Sequence, residues 1–599
     1  MRPTLNQLKT NRVVTQISSE QRVIKQLIEA LLFEGVINYQ LQHGVFTFQL
    51  NNQDYKATGK IAGFARIRLH ADKIFCKIGE QWHAPKIDEL VKQLPTTACL
   101  QKKLRTELMQ TITLCNWNQQ NLPRLASRRE LPYTQLESAI DEGHPYHPCF
   151  KARTGFTAQD HHDYGPESRN PFQLHWLAVD RALLKHQLNS EDIQLFWLQE
   201  LGENIYQQLQ QRLTDAQATF EKYSLLPIHP WQWQNLQTQF SIPLATKEII
   251  DLGSAGDHYQ ASISVRTLLN ISQPKKANIK LPLNMVNTSS LRTIESHSIC
   301  TAPILTNWLT EIVKSDQYLQ RHITLLPEYA GIRMRTQTDE SPLAWLHALD
   351  GQTGVIFRES LMNKHAPMNS VPFVALSIIE KDTLPFIDPW IQEYGCQAWL
   401  EQLIKTAVLP IWHLLVHHGI ALEAHAQNLI LQHQQGWPTH ITLRDFHESL
   451  EYVPSFLKTP ALTPDFLALE AVYQHAEPNQ YYWMEDVEAL RELVIDTLFV
   501  FNLSDLATLL EDHYQFNESD FWQHIYQAFV DYQQTGQTDE ARIRKMDIHQ
   551  PSVQTESLIK KKLSPTAASE FHHTVNNPLL RVSPIISPLH VTKTRSLTC

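Results

Sequence analysis

The densest chemistry in the chain lies at 419–449, GIALEAHAQNLILQHQQGWPTHITLRDFHES. LeuIleLeuGln from 429 and HisIleThrLeuArg from 440 are β-like runs, and GlnGlnGlyTrpPro between them supplies a turn. Such a hairpin brings Asn428, on entry, and Asp445, on exit, to the same end. An amide oxygen beside a carboxylate, with Glu423 nearby, is a hard oxygen set suited to Mg²⁺ held against a nucleotide's phosphates. Either residue alone reads equally well as a turn cap; the joint pattern points to the metal.

A second constellation is cationic: Ser264, Arg266, Lys280, Thr288, Ser289, Arg292 and Arg358. Arginine presents a planar fork of N–H donors matched to phosphate or carboxylate oxygens, and hydroxyls add short neutral bonds. A single Arg is ordinarily a solvated surface residue. Here SerValArgThr and SerSerLeuArgThr repeat the same hydroxyl–guanidinium pairing, which favours an anion site. A third set, GHPYHPCFKARTGF at 143–156, holds His144, His147, Lys151 and Arg153. Proline keeps the residue before it extended, so the two His-Pro units give a rigid loop, either to bind a polycarboxylate or merely to bond its own backbone.

Other chemistries lack their signatures. There is no GxxxxGKS or GxxxxGKT loop, no GxGxxG, no GxSxG elbow and no HExxH. His413 and His417 are spaced i,i+4, but with no accompanying carboxylate or cysteine they read as packed histidines. His161, His162 and Asp163 read as a loop.

The elements that must position these residues follow from periodicity. Apolar residues three and four apart predict a helix over 20–32, and another over 102–117; alternation predicts strands near Val45–Leu50 and Arg66–His70. VPFVALSIIE at 371–380 reads as a strand, and 397–418 as a helix closed by Gly419. This divides the chain into a scaffold over 1–130, a cleft-building middle over 131–365 rich in Pro-bounded motifs, a third part over 366–580, and a loose tail over 581–599. Charge and composition narrow the class further. With 52 Lys+Arg against 62 Asp+Glu the formal charge is −10, which disfavours a nucleic-acid groove. The 14 Trp, 18 Tyr and 23 Phe supply ample core and exclude a disordered chain. The most apolar run, Ala407–Ile420, is broken by Pro410 and three histidines, so no membrane span is expected. The start carries no apolar leader, and seven cysteines without a CxxC spacing suit a reducing cytoplasm.

GHPYHPCFKARTGF, LPIHPWQWQ, SISVRT, KLPLNMVNTSSLRT, ALEAHAQNLIL and LRDF, in this order, closely resemble the IucA/IucC family of siderophore synthetases that work independently of nonribosomal peptide synthetases. The resemblance spans about 130–580, ending in ESLIKKKL and NNPLL. It implies an α+β molecule of thumb, fingers and palm, the palm distantly kinase-like, commonly a homodimer. It implies a ligase that uses ATP and Mg²⁺ to adenylate a carboxylate of citrate or a citrate monoamide, and then condenses it with an amine. By that resemblance Ser264, Arg266, Lys280, Thr288, Arg292, Arg358 and His425 hold ATP phosphates, with His425, Arg292 and Arg266 at the reacting centre. Glu423, Asn428 and Asp445 form the nucleotide and magnesium end, and Lys560, within LysLysLys at 560–562, lies on the acyl-substrate side. The 143–156 run looks most like members acting on a citrate derivative that already carries one amide. One departure stands out: HisGluSer follows ArgAspPhe where many members have a small residue. Two rivals remain at this point. A small-molecule kinase would make ADP, yet the stretch GluAlaHisAlaGlnAsn lacks the catalytic Asp that such sites place before the metal Asn. A non-catalytic citrate- or siderophore-binding protein would not turn ATP over.

Overall fold

The computed structural model describes residues 17–123, 125–336, 343–566 and 571–580; the tail expected over 581–599 lies outside them. The first helix, Ser19–Phe33, begins where Ser18 and Gln21 exchange side-chain and backbone hydrogen bonds in a capping box. Val23, Leu27, Ile28 and Leu31 are fully buried, and this apolar face lies on the strand Ile67–Ile78. That strand belongs to a five-stranded antiparallel meander running in sequence order from Tyr39–Gln42 to Gln81–His83. The strand expected at Val45–Leu50 has those bounds, and the second predicted helix extends to Ala98–Asn121.

The middle of the chain builds an eight-stranded, wholly antiparallel sheet. Its order is Leu184–Gln187, Glu328–Met334, Val355–Arg358, Asn278–Lys280, Thr267–Asn270, Ile249–Ala261, Phe172–Asp180 and Tyr223–Ile228. Trp176, Trp197, Phe196 and Phe357 pack edge to face in its core. The third part centres on the hairpin read from sequence, Leu429–Gln434 with Trp437–Leu443, flanked by Ile323–Leu325 on one side and Ser370–Pro372 on the other. The strand predicted over 371–380 is therefore corrected. Pairing stops at Pro372, and Phe373–Ser377 forms a 3₁₀ turn, because proline offers no N–H to continue a ladder.

The helix predicted over 397–418 is continuous from Cys396 to His418, with π-helical stretches at Ile404–Val408 and Leu414–His418. It ends at Gly419, whose φ of 80° and close approach to Phe456 O, 2.4 Å from where a Cβ would stand, admit no side chain. The helical run Val487–Tyr514 is long and apolar enough to cross a bilayer by length and composition, a feature the sequence reading passed over. In this fold 72% of its most apolar window is buried inside the molecule. The ensemble is a mixed α and β architecture, with strands gathered into separate sheets and helices packed around them.

Candidate active site

Lys280 and Arg358 sit on adjacent antiparallel strands in the register Asn278↔Arg358 and Lys280↔Ile356. Residues two apart share a face, so both cations leave the eight-stranded sheet on one side. They converge on Asp445, with Arg358 Nη1 at 2.6 Å and Lys280 Nζ at 3.8 Å from its Oδ1. The hairpin delivers Asp445 there: Leu429 pairs with Leu443, and Arg444 N–H donates to Asn428 O at 3.1 Å, which closes the end that carries both Asn428 and Asp445. Burial works to raise the Asp445 pKa, but Arg358, Lys280 and Arg444 outweigh it and hold the carboxyl well below its ordinary range.

The HisGluSer departure turns out to be built into the same site. Glu328, fully buried, accepts N–H bonds from Phe446 and His447 at 3.1 Å each through Oε2, and His447 Nδ1 lies 2.7 Å from its Oε1. With that ring nitrogen donating, His447 Nε2 accepts from Lys280 Nζ at 3.1 Å. Glu448 Oε2 lies 3.6 Å from Arg266 Nη2, and its Oε1 accepts from Ser298 Oγ at 3.1 Å. Burial would raise the Glu448 pKa, yet His447, Arg266 and Lys280 bring it down to about 2. Ser449 Oγ donates to Glu423 Oε2 at 2.5 Å. Each of the three residues thus orients one member of the predicted set.

Three non-glycine residues here occupy the left-handed region: Val265 (φ 69°), Thr288 (φ 61°) and Asp445 (φ 63°). For a β-branched residue this is costly, and such strain persists where a site requires it. Val265 lies between Ser264, whose Oγ accepts Thr267 N–H at 3.0 Å, and Arg266, which donates to Thr293 O. Thr288 and Ser289 form the turn between the strands Val286–Asn287 and Ser290–Leu291, and Arg292 just beyond donates to Asn287 O at 2.7 Å. Burial, helped by Arg266, lowers the Arg292 pKa to about 10. Arg292 Nε and Arg358 Nε and Nη2 are buried without a hydrogen-bond partner among the described residues. Each such donor costs about 1–3 kcal/mol, a cost an anionic ligand would remove. His425 accepts Gln427 N–H through Nδ1 at 3.2 Å, which leaves Nε2 3.7 Å from Glu423 Oε1. Asn428 Nδ2 donates to Glu423 O at 2.9 Å, so its amide oxygen is turned away from that bond. Glu423, Asn428, Asp445 and Ser449 border one cavity of about 10 Å³, the room of a single water. The exposed wall of that cavity is apolar, from Leu422, Leu429 and Phe446 among others, so the fit to a hard divalent cation rests on the donor set itself, two carboxylates and an amide oxygen.

The third predicted set divides. His144 Nδ1 accepts the N–H of Tyr146 and of His147, and His147 Nδ1 accepts that of Cys149, all at 3.1 Å; the loop is rigid because its histidines bond its own backbone. His144 remains half-buried, and burial presses its pKa to about 3, with His425 and Arg292 among the charges that act on it. Lys151 and Arg153 already share a carboxylate partner. Both are buried against Glu167, at 2.7 Å each, and Arg153 also meets His161, which lies in the helix Ala158–Tyr164 rather than the expected loop. Of the three lysines, Lys562 bonds Glu107 at 2.5 Å and Lys561 stands 3.9 Å from Glu556. Lys560 forms no ion pair among the described residues and stays half-buried beside Glu34 and His573. Sequence reasoning missed Glu328, His447 and Glu448; only the departure after ArgAspPhe signalled the last two.

The chain resembles known proteins over most of its length. The model of the IucA / IucC family matches residues 132–378, and that described as ferric iron reductase FhuF-like transporter matches 397–570. The chain is 33% identical over 586 residues, 94% of each protein, to a Bacillus anthracis citryl-spermidine/3,4-dihydroxybenzoyl-citryl-spermidine:spermidine ligase. It is 32% identical over 318 residues, 52% of this chain and 54% of the other, to aerobactin synthase of Escherichia coli. Among solved structures, the petrobactin biosynthesis protein AsbB from Bacillus anthracis superposes with a TM-score of 0.86 at 32% identity, covering 94% of this chain and 95% of that one. The ATP-bound aerobactin synthetase IucA from Klebsiella pneumoniae shares the fold, with a TM-score of 0.74 at 17% identity over 94% of this chain and 99% of that one. The protein is a ligase. More particularly, it belongs to the IucA/IucC family of siderophore synthetases.

Proposed function

We propose that the chain activates a carboxylate of citrate, or of a citrate monoamide, with ATP to an acyl-adenylate, releasing pyrophosphate, and that an amine then displaces AMP to form an amide. The observation that carries this reading is the convergence of Lys280, Arg358 and Arg266 on Asp445 and Glu448, with guanidinium N–H groups left unpartnered beside them. In the terms of the family's architecture, the eight-stranded sheet is the fingers and the hairpin the heart of the palm. Attack of the carboxylate oxygen on the α-phosphorus, in line with the leaving pyrophosphate, builds charge on phosphate oxygens. Fixed donors stabilise that charge without reorganising. Arg266, Arg292 and His425 take the reacting phosphates, Lys280 and Arg358 the adjoining ones, and the hydroxyls of Ser264, Thr288 and Ser289 complete the cradle. Glu423, Asn428 and Asp445 would hold Mg²⁺, which neutralises phosphate charge when bound. On the acyl side Lys560 offers an ammonium that forms no ion pair among the described residues, His144 and His147 shape the wall, and Lys151 and Arg153 hold that wall in place through Glu167.

The relative with 33% identity is named for joining spermidine to citryl-spermidine; on that likeness a citrate monoamide and an aliphatic polyamine head the substrates to try. The test is incubation with ATP, Mg²⁺, citrate and hydroxylamine as surrogate nucleophile, followed by a carboxylate-by-amine matrix with mass detection. AMP and pyrophosphate are expected. ADP and phosphate would move the assignment to a kinase, and no turnover with any pair would move it to a binding protein.

A further inference from the structure

Asp316 stands between the helices Ser296–Ser315 and Gln317–His322, and its Oδ1 accepts the N–H groups of Tyr318 at 2.7 Å and Leu319 at 3.0 Å. The carboxylate is thereby fixed, and its other oxygen faces three imidazoles. His413 Nε2 and His418 Nε2 lie 3.0 Å from Oδ2, and His417 Nε2 lies 3.7 Å away. One ligand atom from each of the four residues falls within 4.8 Å of every other. A tetrahedron with bonds of ~2.0–2.1 Å has edges of about 3.3 Å, so the carboxylate–imidazole separations bracket what one ion would impose.

The sequence hides this cluster for two reasons. Asp316 is 97 residues from His413, so no local motif contains the carboxylate. His418 would also leave the face of His413 and His417 in an α-helix, where the third and fourth residues on return to the same side and the fifth does not. The π-helical stretch Leu414–His418, with Gly419 N–H bonding Leu414 O, widens the turn and keeps all three on one face, their ring centroids 4.6, 5.7 and 4.8 Å apart.

Two of the three rings have outer partners that suit ligation through Nε2, while His418 Nδ1 is buried with no hydrogen-bond partner among the described residues. His413 Nδ1 lies 2.5 Å from Tyr532 Oη, His417 Nδ1 lies 3.1 Å from Thr538 Oγ1, and Tyr532 Oη and Thr538 Oγ1 are 2.7 Å apart. An Nδ1–H donated to such an oxygen points the Nε2 lone pair inward. The ammonium of Lys458 now meets His417 Nε2. Lys458 is exposed on a long flexible stem, so a bound cation would displace it into solvent.

We propose that Asp316, His413, His417 and His418 form a closed tetrahedral site for a borderline divalent transition ion, of which Zn²⁺ fits the donor set best. With all four positions filled by protein the site is structural. It clips the junction at Asp316 to the helix that leads, through the strand Ile420–Leu422, to Glu423 and His425. None of its residues is among those that meet Asp445 or Glu423.

The experiment uses full-length protein without a polyhistidine tag, stripped with chelator and titrated with Co²⁺ as a spectroscopic probe, then with Zn²⁺. One equivalent of Co²⁺ per chain should give the intense visible absorption of tetrahedral coordination, Zn²⁺ should bleach it, and Zn²⁺ should raise the melting temperature. Half-buried His417 is the residue to vary: His417→Gln, with folding checked by circular dichroism, should lose the absorption. Asp316→Asn, which keeps the helix cap, should lose it too. Lys458→Met should tighten binding tenfold or more. A wild type that gives no tetrahedral spectrum at one equivalent, or a His417→Gln variant that gives the same spectrum, overturns the proposal.

Discussion

At the scale of single residues, the site sets buried cations against carboxylates that the protein interior would not hold alone. Lys280 shows how narrow the balance is. Burial lowers its pKa, Asp445 opposes that shift, and the Glu328–His447 pair fixes where the ammonium points. His447→Gln should leave Lys280 charged but unaimed, and AMP formation should fall tenfold or more, since each ~1.4 kcal/mol of lost transition-state stabilisation is a factor of ten. The rate of pyrophosphate release measured at saturating ATP checks this. Arg292→Ala and His425→Ala should lower turnover by a similar factor or more with melting temperatures close to wild type, because neither side chain anchors a core. Full activity in both would remove them from the phosphates. Lys560→Ala should raise the Michaelis constant for the acyl substrate more than that for ATP, having removed a charge-assisted contact to one ligand alone.

At the scale of elements, the hairpin is the device that makes Asn428 and Asp445 neighbours, and its turn depends on Gly436. With φ at 90° and Trp390 Cδ1 2.1 Å from where a Cβ would stand, Gly436→Ala forces both backbone strain and a ring displacement. A loss of about 1–3 kcal/mol is expected, read as a lower melting temperature together with weaker activity. A second element is pinned by a carboxylate. Glu34 accepts the N–H groups of Ile559 at 2.9 Å and Lys560 at 2.7 Å and the hydroxyl of Tyr146, at the start of the helix Leu558–Leu563. Burial raises its pKa from 4.5 to about 7, against those donors. A folded-state pKa above the unfolded one gives stability that is complete below 4.5 and is lost as pH rises through about 7, a span worth about 3 kcal/mol at most. The difference in melting temperature between wild type and Glu34→Gln should therefore shrink from pH 5 to pH 8; a constant difference would show that Glu34 keeps its ordinary pKa. These elements also mark what the sequence could reveal. The hairpin and the first helix were legible because a glycine turn and an apolar period of three and four are local patterns. Glu328 was not, because it meets His447 from 119 residues away, and nothing in the run after Arg153 announced that Glu167 would claim both Lys151 and Arg153. The apolar run 371–380 looked like a buried strand because burial and not alternation set its composition.

At the scale of the whole molecule, the parts are joined by buried charge. Arg358 and Lys280 tie the eight-stranded sheet to Asp445, Lys185 and Arg333 tie it to Glu470, and Arg444 beside the hairpin reaches Glu137 at 2.6 Å. Glu137 is fully buried and Arg444 is 3% exposed, and the guanidinium also donates to Tyr133 Oη and Gln427 O. Taking both charges from water costs several kcal/mol, which the pair recovers only while both members are present. Such pairs therefore add little net stability, yet they admit one docking of the parts, since any slip leaves a carboxylate alone in the interior. That argument has a measurable form. Arg444→Met should destabilise the protein by about 3–5 kcal/mol, because Glu137 is left buried without its partner. Glu137→Gln in the same chain should restore more than half of the loss, having removed the stranded charge while keeping a hydrogen-bonding group of the same size. Urea unfolding of the two single variants and the double variant gives the coupling directly. Additive losses in the double variant would mean that Arg444 stabilises the junction through its contacts to Tyr133 and Gln427, and that the charges on either side of it act independently.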